Sequence, residues 1–88
     1  MKLIDRWDET YGDSYLTVGI SPTEKVDVKR CNTDDGFMYV MDCSNGKNVY
    51  TNDSSEGYRN LNVTEYIEIM DFVREQFKVE AEMDRRVV

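Results

Sequence analysis

Apolar and polar residues alternate along 14–20. Leu16, Val18 and Ile20 fall on one side of an extended chain and Tyr15, Thr17 and Gly19 on the other, the two-residue period of a half-buried strand. Ser21-Pro22-Thr23 ends it. Residues 25–31 repeat the pattern, with Val26, Val28 and Arg30 on one side, and Asn32 to Gly36 is a turn cluster. Residues 37–43 are rich in aromatic and apolar groups and predict the strongest strand. Asn45-Gly46 then predicts a two-residue hairpin into a return strand over 48–51. That hairpin would set Ser44 opposite Lys47, Asp42 opposite Val49 and Met41 opposite Tyr50. Phe37, Tyr39, Met41 and Tyr50 would share one face, and Met38, Val40, Val49 and Thr51 the other.

Two segments follow a helical period instead. Leu3, Ile4, Trp7 and Tyr11 occupy one face of a short N-terminal helix over 2–11 that Gly12 would end in a left-handed cap; an edge strand is the alternative. Asn62 and Glu65 have the spacing of a capping box, which predicts a long helix from Val63 to about Met83. Its core band would hold Val63, Tyr66, Met70, Val73, Phe77 and Ala81, flanked by Ile67 and Ile69. The expected fold class is α+β. It is a single compact acidic domain over 1–88, with a small antiparallel sheet of three to four strands, a long C-terminal amphipathic helix and a short N-terminal helix.

Composition narrows the chemistry. The 88 residues include 11 Lys and Arg against 18 Asp and Glu, a net charge of −7, and no histidine. Ser-His-Asp and Cys-His catalysis and histidine-containing metal sites are therefore excluded. A basic surface for nucleic acid is not expected at this charge. Cys31 and Cys43, twelve apart, form neither a C-x-x-C motif nor half of a zinc site, and read as reduced, packed thiols. No phosphate-binding or dinucleotide-binding glycine motif occurs, and the Asn32 to Gly36 turn lacks the spacing of a calcium loop. The expectation is a protein that is not an enzyme and takes no cofactor or metal. Met1 to Arg6 meets charge too early for a signal peptide, and no apolar run is long enough to span a bilayer. The expected location is the cytoplasm, without a membrane partner.

The charge is unevenly placed. Residues 63–84 hold seven acids against Arg74 and Lys78, and residues 5–13 hold four acids against Arg6. On the long helix Glu68, Asp71, Glu75 and Glu82 lie opposite the core band as an acidic stripe. Asp71 and Glu75 repel at i, i+4, and Glu80, Glu82 and Asp84 crowd a helix end that prefers cations. Carboxylates along this face rise about 4.5 to 10.5 Å apart, which brackets the separation of successive phosphates along one nucleic-acid strand. Phe72 and Val79, one heptad apart and off the core band, fit a helix–helix seam between two copies; a wide core band is the other explanation.

In size, acidity and absence of motif the whole chain resembles small phage-encoded inhibitors that act as DNA mimics. The residues behind the resemblance are Glu65, Glu68, Asp71, Glu75 and Glu82 on the long helix, with Asp5, Asp8 and Glu9 near the start. The resemblance implies a homodimer that occupies the basic nucleic-acid-binding groove of a host protein without touching nucleic acid itself. A histone-like nucleoid protein, a restriction or CRISPR effector, a polymerase or a repair enzyme would fit. The alternative is a non-mimic adaptor or assembly subunit joined through the apolar sheet face or through Phe72 and Val79.

Overall fold

The computed structural model describes residues 1–42, 46–51 and 59–87, with helix side chains as far as residue 78. The strands are β1 (Lys2–Asp8), β2 (Ser14–Gly19), β3 (Glu24–Thr33), β4 (Gly36–Met41) and β5 (Val49–Thr51), and a single helix, α1 (Val63–Val87), follows. The sheet is antiparallel in the order β1-β2-β3-β4, with β5 also paired to β3. The small antiparallel sheet with one long C-terminal helix is the architecture the hydropathy pattern predicts.

The short N-terminal helix does not form. Residues 2–8 are strand β1, joined to β2 by the five residues 9–13. Glu9 N donates to Asp13 O at 2.8 Å and Gly12 N to Glu9 O at 3.1 Å, with Gly12 at φ 103°. This is a turn followed by a left-handed glycine, a common hairpin closure. The register slips between Leu3 and Asp5, so Ile4 is an extra residue in the ladder. The bulge carries Trp7 to the face opposite Leu3, so the apolar residues at 3, 4 and 7 break the two-residue alternation and read as a helical period. With β2 pairing available and no N-cap before Leu3, the ladder prevails.

The expected Asn45-Gly46 hairpin is also corrected. Ser44 and Asn45 lie outside the described residues, but β4 and β5 do not pair with each other. Both are antiparallel to β3, β4 along Val28 to Thr33 and β5 along Glu24 to Val26. β3 has ten residues and β4 only six, so the first part of the β3 edge is left for β5. Tyr50 consequently pairs with Lys25 on the outer face, while Val49 pairs with Val26 on the inner one.

The inner face carries the core. Leu16, Val18, Val26, Val28 and Val49 are buried against Ile69, Met70, Val73 and Phe77 of α1, with Leu3, Tyr39, Met41 and Phe72 packed around them. The helix band is shorter than expected and turned toward Ile69. Met70, Val73 and Phe77 are buried as predicted, but Val63, Tyr66 and Ile67 are exposed, Val63 at 76%. The first helical turn is held at the sheet rim by polar contacts and gains no apolar cover there. The Ala81 side chain lies outside the described residues.

At the far end of the inner face Arg30 is stacked between Phe77, at 3.5 Å, and Phe37, at 3.8 Å, and Arg6 stands over Phe77 at 4.7 Å. Aromatic faces attract guanidinium groups in this arrangement. Arg30 Nε is buried without a hydrogen-bond partner among the described residues, so the stacking substitutes for hydrogen bonding at that atom.

Candidate functional site

The start of α1 is fixed by the expected capping box. Glu65 N donates to Asn62 Oδ1 at 2.8 Å, and Asn62 N donates back to Glu65 Oε1 at 3.2 Å. The Glu65 carboxylate has a second task. Arg59 donates to it through Nη1 at 2.9 Å and Nη2 at 2.7 Å, and to Glu24 of β3 through Nε at 2.7 Å and Nη2 at 3.2 Å. Arg59 also pairs by its backbone with Val49. One guanidinium thus ties the helix start to β3. The Arg59 hydrogen bonds hold the Glu65 carboxyl down at about 2 and lower that of Glu24.

The expected partner-facing carboxylates therefore divide. Glu65 is engaged by Arg59. Asp8 accepts a hydrogen bond from Arg6 Nε at 2.9 Å and another from buried Ser14, and the two lower its pKa. Glu9 accepts the Trp7 indole N–H at 2.9 Å. Asp5 is exposed on the outer sheet face and accepts the Arg6 backbone N–H at 2.8 Å. Glu68, Asp71 and Glu75 are exposed on α1, with no hydrogen-bond or ion-pair partner among the described residues. The Glu82 side chain lies outside the described residues, as does that of Val79. Phe72 is half-buried and packs against the core, as a wide core band would place it.

The two bases on this stretch of helix sit beside the stripe. Arg74 leans over the Tyr39 ring at 5.5 Å, toward the sheet, and Lys78 is exposed one turn beyond. The helix surface away from the sheet is thus mainly carboxylate between Glu68 and Glu75.

A second surface escaped the sequence reading. The outer sheet face, turned away from α1, is hollowed into a cleft of about 550 Å3 whose lining includes Asp5, Trp7, Tyr15, Asp27, Lys29 and Val40. Alternation along β2 already placed Tyr15 and Thr17 on one side, and along β3 it set Val26, Val28 and Arg30 apart from Asp27 and Lys29. The contribution of β1 was hidden by its reading as a helix. Trp7 is 65% exposed there, and Val40 of β4, 41% exposed, lines the far side of the cleft beyond β2 and β3. Cys31 is a free, half-buried thiol on the same face, and Cys43 lies outside the described residues.

Among the described residues no group of three or more His, Cys, Asp or Glu side chains is gathered to hold a metal, and no helix is long and apolar enough to cross a membrane. The chain matches no protein-family model, no curated protein and no solved structure.

Proposed function

We propose that this protein is an acidic protein-interaction module. Its helix face, Glu68, Asp71 and Glu75, occupies the basic nucleic-acid-binding surface of a partner protein as a DNA mimic. The supporting observation is that these three carboxylates are exposed and lack an intramolecular cation among the described residues, whereas Glu65 and Asp8 have theirs. Unneutralised like charges one turn apart disfavour the helix slightly, and a basic partner relieves that repulsion. Histone-like, restriction, CRISPR, replication and repair proteins present such surfaces. The net charge of −7 would steer the encounter and make affinity fall with salt.

The test is affinity capture from a bacterial lysate, at low and high salt, on the wild-type chain and on the triple variant Glu68→Gln, Asp71→Asn, Glu75→Gln. The expected result is a nucleic-acid-binding protein retained by the wild type at low salt, released at high salt and not retained by the variant. Equal retention by both chains would reduce the stripe to a solubilising surface.

A further inference from the structure

The outer-face cleft stands apart from the acidic helix, on the opposite side of the sheet, and its composition points to its own occupant. Its volume of about 550 Å3 lies in the range of sites that take a ligand of several side chains. The rings on this face already attract cations: Lys29 Nζ lies 5.2 Å from the centre of Tyr15, and Lys25 Nζ 5.0 Å from that of Tyr50. Trp7, the best such ring and the most exposed, has no cation of the described residues over it. Its indole N–H is tied to Glu9, which holds the ring plane in place.

The charge of the cleft agrees. Asp5 meets the Arg6 backbone N–H, and Asp27 meets the Thr17 hydroxyl at 2.8 Å and the Tyr50 hydroxyl. Those donors are neutral, and neither carboxylate has an ion-pair partner among the described residues. Lys29, the one base among the described lining residues, is already paired with Asp13 at 3.6 Å. A second copy of this chain, face to face, would set aspartates against aspartates. A cationic, planar side chain satisfies both the ring and the carboxylates, which is the geometry of arginine.

We propose that this cleft docks an arginine-bearing segment of a partner protein, its guanidinium stacked on Trp7 and paired with Asp5. The site is independent of the helix stripe.

Trp7 is the sole tryptophan, so its emission reports the cleft directly. The experiment titrates the full chain with a short Arg-Gly repeat peptide, with a Glu-Gly repeat peptide as control. A saturable change in Trp7 emission with the first and none with the second is expected. Asp5→Asn, which keeps an acceptor for the Arg6 N–H, and Val40→Lys, which places a cation in the cleft, should each weaken binding about three- to tenfold. The triple helix variant should respond to the peptide as the wild type does. An unmoved emission, an unchanged affinity in both cleft variants, or loss of the response in the helix variant would each overturn the proposal. So would a Trp7 emission that depends on protein concentration alone, which would assign the cleft to a second copy. None of these outcomes depends on whether the helix captures a nucleic-acid-binding protein.

Discussion

Arg59 joins two carboxylates that are 41 residues apart in the chain, Glu24 and Glu65. Its removal is predicted to cost roughly 1 kcal/mol near neutral pH, since the pair is partly exposed. The sign of the pH dependence follows from Glu65. Its folded pKa, about 2, is below the ordinary 4.5, so the pair contributes fully above about 4.5 and progressively less as pH falls toward 2. Urea unfolding of wild type and Arg59→Met should therefore show a stability gap at pH 7 that closes on acidification through that window. A gap unchanged at acid pH would contradict this assignment. The capping half of the arrangement was legible, because Asn62 and Glu65 are three apart. The Arg59 half was not, because the polar stretch before Asn62 has no period and its second partner is on β3. Gly12 gives a simpler case. Its φ of 103° disfavours a side chain, and a Cβ there would approach Asn32 Nδ2 to 2.7 Å. Gly12→Ala should destabilise by about 1 to 2 kcal/mol, read as a lower urea midpoint at unchanged slope. The sequence marked Gly12 as a left-handed position but assigned it to a helix end; the same conformation closes a hairpin.

At the scale of elements, β2 and β3 were legible because each buries one face, and strict alternation then has no rival period. β1 was legible only as the alternative to a helix, because the extra residue at Ile4 breaks the alternation. Gly19 takes part in this: a Cβ there would come within 3.0 Å of Ile4 Cδ1, so its missing side chain leaves room for the displaced isoleucine. The β4–β5 relation was hidden for another reason. An Asn-Gly pair reports local turn chemistry, whereas the edge of β3 offered both segments a longer ladder. For α1 the cap and period were visible, but not how much of the apolar band the sheet covers. That difference is measurable. Ile69 is fully buried and Val63 is 76% exposed. Ile69→Ala should lower unfolding free energy by about 2 to 5 kcal/mol, and Val63→Ala should change it by less than about 0.5 kcal/mol. Comparable losses at both positions would place the helix differently on the sheet.

For the molecule as a whole, the acid excess has two fates. Glu24, Glu65 and Asp8 serve the fold, each held by an arginine, while Glu68, Asp71 and Glu75 face outward without such a partner among the described residues. Sequence periodicity could align carboxylates on a helix face, but it could not separate those with a partner from those without. That sorting needs Arg6 and Arg59, which lie outside the helix. It reduces the proposed mimic surface to three helix residues among the described side chains. It also leaves Asp5, once grouped with that surface, in the cleft on the opposite side of the sheet. Mimicry makes a demand that mere attraction to a basic protein does not: the chain and a DNA duplex must exclude each other. The most direct measurement is therefore a competition, in which the captured partner, loaded with a fluorescent duplex, is titrated with this protein and followed by fluorescence anisotropy. Complete release of the duplex by the wild type and little by the Glu68→Gln, Asp71→Asn, Glu75→Gln variant is expected of a mimic; a stable ternary complex of partner, duplex and this chain would rule mimicry out.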